Sequence, residues 1–126
     1  MKWIFIAIGG AGGSLLRYAL EGWIQRMTPG SFPLGTLAVN IIGCLAIGLL
    51  AGFVAGPQLI REEIRIGVSV GLLGGFTTFS AFGLDSYSLA TRGDYLLSAV
   101  NMLISCGLGF LAVLIGYRLA EHFYFA

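Results

Sequence analysis

GGFTTFSAF, residues 74–82, lies in a stretch without a charged residue between Arg65 and Asp85. Apolar neighbours and missing charge point to a membrane-spanning helix. Two glycines, two β-branched threonines and a serine are nevertheless weak helix formers, so the spacing predicts an interruption of the helix near its middle. At membrane depth, backbone N–H and C=O groups freed in this way must be satisfied by protein, a lined cavity or an ion.

The rest of the chain repeats the apolar pattern. No charge occurs between Arg26 and Arg61 or between Asp94 and Arg118, and the run after Lys2 reaches Arg17 before meeting one. Of 126 residues, 57% are hydrophobic and 10% charged, with a mean hydropathy of +0.91. A soluble domain carries about 25% charged residues, so the apolar excess is expected to face lipid. Crossing a hydrocarbon core of about 30 Å takes about 20 residues per helix. We therefore expect an all-α integral membrane protein with four transmembrane helices, over residues 3–22, 34–55, 64–89 and 96–117, forming a single domain over residues 1–126. The runs lack the period-two alternation of a transmembrane barrel. Lys2, WIFIAI and GGAGG imitate a signal peptide, but Arg17 and the aromatic-flanked continuation fit a retained helix better.

Pro29-Gly30 and Pro33 are expected to break the first connector, Gly56-Pro57 to end the second helix, and TRGD (residues 91–94) to form a tight turn. A net charge of +1 suggests no nucleic-acid partner. Cys44 and Cys106 fall in apolar spans without CxxC spacing, as packing residues would. Glycines four apart, Gly48 with Gly52 and Gly67 with Gly71 and Gly75, are expected to let helix backbones approach closely.

Charge balance bears on orientation. Lys2, Arg61, Arg65 and Arg118 fall on one side of the membrane, with Arg26, Arg92 and the boundary residue Arg17 on the other. Four against three is a weak positive-inside bias. It fits either a fixed orientation or insertion both ways round, with opposite copies pairing as an antiparallel dual-topology homodimer. Four short helices barely enclose a pathway, which favours an oligomer.

Polar residues within the spans are costly unless they find partners or line a path. Thr36 and Asn40 share a face of the second helix, as do Ser98, Asn101 and Ser105 on the fourth. Interhelical hydrogen bonds, worth about 0.6 kcal/mol each, account for such residues as well as a pathway does. Asn40 says more, because its amide has two donors and two acceptor sites to satisfy. At the interruption, freed carbonyls suit a hard cation, while freed N–H groups and hydroxyls suit an anion. No carboxylate lies at mid-span to neutralise a moving cation. Phe79 and Phe82, three apart, are neighbours on one face. They are either packing residues or rings whose positive edges meet an anion. Arg17 lies about five residues, or roughly 7.5 Å, from the end of its helix. It either snorkels to the interface or lines a vestibule that concentrates anions. Asp85 is an interfacial charge or a residue at a pathway mouth.

GGAGGSLLRY (residues 9–18), PLGTLAVNIIG (residues 33–43) and GLLGGFTTFSAF (residues 71–82) together resemble the Fluc (CrcB) fluoride channel family of microbes. The likeness covers essentially the whole chain, with three motifs in the expected order. It implies a fluoride-selective channel that mediates passive fluoride export and relieves cytoplasmic toxicity, in the bacterial inner membrane. It also implies an antiparallel homodimer with two fluoride pores. A structural sodium ion at the dimer interface would be held by the backbone carbonyls of Gly74 and Thr77 of both subunits. Phe79 and Phe82 match the family's pore-facing aromatic pair and Asn40 its pore-lining asparagine. Ser105 with Asn101 is similar to its polar track, and Arg17 matches its vestibule arginine. Ala81, Gly13, Asn101 and Gly109 depart from the residues usual in relatives.

Two other classes compete. A small multidrug exporter shares the length and helix number but needs a membrane-embedded carboxylate, and the first helix has none before Glu21. A non-transporting membrane scaffold would explain the glycine spacing but neither the polar faces nor the phenylalanine pair. An enzyme is not expected, because the only histidine, His122, lies in the C-terminal tail and no nucleophile–base pair appears.

Overall fold

The computed structural model describes residues 1–56 and 60–125 and is all-helical over them. Helix α1 spans Lys2–Met27 and α2 spans Leu34–Ala55. The third crossing is composite: α3 (Glu62–Ile66), a π-helical stretch π1 (Gly67–Leu73), α4 (Gly74–Phe76) and α5 (Phe79–Thr91). Helix α6 spans Tyr95–Phe125. Four helical stretches, Lys2–Met27, Leu34–Ala55, Glu62–Thr91 and Tyr95–Tyr124, are long and apolar enough to cross a membrane.

The second span has the bounds expected of it, with Gly56 as its C-cap; Pro57 lies outside the described residues. The first and fourth helices run past their expected ends at residues 22 and 117, to Met27 and Phe125. Hydropathy reports where lipid ends, whereas a helix continues until its hydrogen bonding fails. The polar residues Glu21, Gln25 and Arg26 are good helix formers, and α1 persists until Pro29-Gly30, where Gly30 has φ 138°. Gln25 then ties the connector down: its Nε2 donates to the Phe32 carbonyl at 3.1 Å and its Oε1 accepts from Gly35 N–H at 3.0 Å.

Between α5 and α6 the TRGD segment forms a tight turn. Gly93 has φ 88°, a left-handed conformation natural to glycine at the end of a helix. The Asp94 amide bonds back to the Leu89 carbonyl at 2.9 Å, which satisfies an end of α5.

Two helix pairs dominate the packing: α2 against α6, and α1 against π1 and α4. Backbone proximity explains both. A Cβ on Gly48 would meet the Val113 carbonyl, and one on Gly116 the Leu45 carbonyl, so α2 and α6 touch main chain to main chain. Gly9 and Gly13 likewise abut the backbone of Gly67 and Leu72. Lys2 Nζ and Glu62 Oε1, 3.1 Å apart, place the starts of α1 and α3 at the same end of the bundle. Most large apolar side chains, including Trp3, Leu15, Leu103 and Phe110, point outward, as a lipid-facing surface requires.

Candidate functional site

The helical run from α3 through α4 stops at two residues. Thr77 (ψ 157°) and Thr78 (φ −147°, ψ 122°) are extended, and α5 restarts at Phe79. In an uninterrupted α-helix each amide would bond the carbonyl four residues back; at this point the bonds go elsewhere. Thr78 N–H donates to Asn40 Oδ1 at 2.8 Å, and Asn40 Nδ2 donates to the Thr78 carbonyl at 3.0 Å. Ala81 N–H donates to Thr78 Oγ1 at 3.2 Å, a side-chain N-cap for α5. The Gly75 carbonyl receives Arg17 Nε at 3.2 Å. Three spans thus supply groups at the interruption: Asn40 from α2 and Thr78 itself hold the extended residue, and Arg17 from α1 holds the Gly75 carbonyl just before it.

These diversions free two carbonyls. The Thr78 amide would have bonded Gly74 and the Ala81 amide Thr77; with both engaged elsewhere, these two oxygens, like that of Phe76, have no partner among the described residues. Below them Thr77 is fixed by two bonds to the Leu73 carbonyl, from N–H and from Oγ1, both at 3.0 Å. Two neutral, hard carbonyl oxygens suit an alkali cation. Among the described residues no cluster of three His, Cys, Asp or Glu side chains offers a competing metal site. Gly74 and Thr77 are thus the residues that would hold the sodium ion implied by the family resemblance.

Beside the extended pair lies a cavity of about 340 Å³. Asn40, Thr78, Phe79, Phe82 and Ser105 line it together with Gly74 and Thr77. Residues spread over three spans meet there because Asn40 grips Thr78 and α6 packs on α2. The rings of Phe79 and Phe82 are tilted at 47° with centroids 5.6 Å apart. Phe79 is 83% exposed in the single chain, so its ring is not held by a core. Cys44 and Cys106, expected as packing residues, line the same cavity. Cys44 follows Asn40 by four residues, and that shared helix face was a signal the sequence offered.

Asn101 takes a different place. It is 2% exposed, and its Nδ2 donates to Ser86 Oγ at 2.9 Å, which in turn donates to the Phe82 carbonyl at 2.9 Å. Ser98 Oγ donates to the Ser86 carbonyl at 2.7 Å. The polar face of α6 thus braces α5 beneath Phe82, and Ser105, whose Oγ donates to Asn101 Oδ1 at 3.4 Å, is its member in the cavity wall. Ser86 had no motif to mark it.

A second cavity, of about 590 Å³, is lined by Arg17, Glu21, Gln25, Arg26, Thr36 and Asp85 among others. Arg17 lies 3.7 Å from Glu21 Oε2, and Thr36 Oγ1 donates to Glu21 Oε1 at 3.2 Å. Arg17 therefore ties the third span's backbone, through Nε on the Gly75 carbonyl, to the polar cavity that it lines.

A family model described as CrcB-like protein, Camphor Resistance (CrcB), matches residues 4–117. The chain belongs to the CrcB family. A protein of Rhizobium leguminosarum bv. trifolii named fluoride-specific ion channel FluC is 45% identical over 113 residues, 90% of each chain. One of Geobacter metallireducens with the same name is 40% identical over 119 residues, covering 94% of this chain and 96% of the relative. A Symbiobacterium thermophilum protein, fluoride-specific ion channel FluC 1, is 42% identical over 120 residues, with 94% and 97% covered. This CrcB chain is thus a multi-pass membrane protein.

Proposed function

We propose that the protein is a fluoride-selective channel of the bacterial inner membrane, through which the anion leaves the cell passively. The observation that carries this is the cavity in which Asn40, Phe79, Phe82 and Ser105 converge, with no carboxylate in its lining. An anion entering it exchanges water for amide and hydroxyl donors and then for the positive edges of phenyl rings. No carboxylate in the wall repels it. A narrow path of fixed donors favours the small halide over chloride, whose larger radius needs a wider one. Arg17 lines the polar cavity as a vestibule residue, where Arg26 and the Glu21 and Asp85 carboxylates join it. Asn101 supports the path by holding Ser105 and, through Ser86, α5. The chemistry is permeation, not catalysis, and no proton-coupling carboxylate of the exporter type faces the conducting cavity.

The working unit of this proposal is an antiparallel, dual-topology homodimer. The nearly balanced positive charges favour it, and so does Phe79, a large ring at the cavity left 83% exposed by its own chain. A second copy laid against this face closes the cavity into a pore. At the helix break of Thr77–Thr78, the carbonyls of Gly74 and Thr77 from both copies would hold a structural sodium ion. When bound, the ion supplies fixed positive charge between two broken helices.

The test is reconstitution into liposomes loaded with potassium fluoride, with valinomycin added and efflux followed by a fluoride electrode. Chloride-loaded and protein-free liposomes are the controls. Fast fluoride efflux with negligible chloride efflux is expected. A folded protein that releases neither ion, or both equally, refutes the proposal. Cross-linking in membranes is expected to capture antiparallel pairs, and parallel pairs alone would refute the dimer.

A further inference from the structure

Asn40 has a second role that lining a pore does not require. Both polar ends of its side chain are spent on one residue 38 positions away: Oδ1 on the Thr78 amide and Nδ2 on the Thr78 carbonyl. This pairing substitutes for a turn of helix. It gives residue 78 the bonds that an extended residue loses, and it withholds the Thr78 amide from the Gly74 carbonyl four residues earlier. A freed Gly74 carbonyl is half of the cation site within each chain. The same Thr78 carries the hydroxyl that caps α5 at Ala81, and α5 begins with Phe79. One side chain of α2 thus sets the free carbonyl on one side of the extended pair and the direction of the phenyl rings on the other.

We propose that Asn40 is a positioning residue that couples the cation site to the conduction path. Holding Thr78 extended keeps the Gly74 carbonyl available to sodium. Without that hold, the Thr78 amide competes with the ion for the same oxygen. The coupling rests on the channel reading above, but the cation effect is measurable without any flux. Only one of the two Nδ2 hydrogens is used on Thr78, so the other stays available to the cavity, and positioning and lining are compatible.

The test uses the full-length protein in detergent. Its thermal unfolding midpoint is followed against sodium concentration at constant ionic strength, with an organic cation as replacement. Fluoride efflux from liposomes is measured in parallel. Bound sodium raises the midpoint by mass action. For Asn40→Ala the half-saturating sodium concentration is expected to rise about tenfold, the order of one lost hydrogen-bond preference. Asn40→Asp keeps an oxygen for the Thr78 amide, the bond that withholds it from Gly74, while it loses the bond to the Thr78 carbonyl and adds charge to the path. Its sodium response should stay within about twofold of wild type while fluoride efflux falls. Ser105→Ala removes a hydroxyl from the same cavity and should leave the sodium response unchanged. An unchanged sodium response in Asn40→Ala, or an equal shift in Ser105→Ala, overturns the coupling. So does a wild-type protein that does not respond to sodium. Should Asn40→Ala fail to fold, Asn40→Asp decides alone, and loss of its sodium response overturns the coupling. Wild-type protein that responds to sodium but passes no fluoride overturns the channel reading instead.

Discussion

Gly43→Ala tests how tightly the extended pair is held. Gly43 lies where α2 passes Thr77, one turn from Asn40. A Cβ built on it runs into the Thr77 methyl, Cγ2, and then meets Phe76 Cδ1 at 3.5 Å. Neither neighbour yields easily: Thr77 Oγ1 is bonded to the Leu73 carbonyl at 3.0 Å, which fixes its rotamer, and Phe76 is 4% exposed. Forcing a methylene-sized group into such packing costs about 1–3 kcal/mol, or roughly 5- to 150-fold in the folded ratio. Thr77→Ser removes the offending methyl but keeps the hydroxyl bond, at about 1 kcal/mol for the lost carbon. If the clash is the cause, the double variant does not sum the two costs. It returns to within about 1 kcal/mol of wild type, a coupling of about 1–3 kcal/mol. Denaturant unfolding of the four proteins in detergent gives the cycle, and fluoride efflux from liposomes should follow the same order. A Gly43→Ala protein as stable as wild type, or a double variant at the sum of the singles, would refute the packing argument.

Phe82→Ile and Phe79→Ile keep apolar bulk while removing the ring edge, so fluoride efflux should drop by an order of magnitude or more, with the unfolding midpoint within a few degrees of wild type; undiminished efflux in both would return the rings to packing. Gly48→Val drives a branched side chain into the Val113 backbone, whose Cα already lies 2.9 Å from a Cβ at that position. It should cost about 3 kcal/mol or more, read as lost monodisperse protein in size-exclusion chromatography. Lys2→Gln breaks an ion pair whose side chains are 51% and 56% exposed. The loss should stay below about 1 kcal/mol, and a large drop in denaturation midpoint would contradict that.

The four spans were legible because a charge in hydrocarbon is costly enough to be excluded, so gaps between charges mark lipid directly. The interfacial ends were less so. Glu21 and Arg26 look like the end of a span, yet α1 reaches Met27, because helix hydrogen bonding does not stop where lipid does. Cys44 shows another limit. Its type suggested packing, and its place on the Asn40 face was the better guide to the cavity it lines.

Composition alone determined that residues 74–82 are poor material for a helix and that Asn40 must spend its amide somewhere. Only the tertiary structure decided where. The partner of a freed amide is the acceptor that packing brings within 3 Å or so, and sequence spacing does not encode that distance. Asn40 reaches Thr78 across 38 residues because α2 lies beside the extended pair, close enough that Gly43 has no room for a side chain. Arg17 reaches the Gly75 carbonyl across 58 residues because Gly9 and Gly13 let α1 settle onto the backbone of π1. Ser86, without any motif of its own, becomes the link from Asn101 to Phe82 for the same reason: a hydroxyl gains its role from the groups that folding puts next to it.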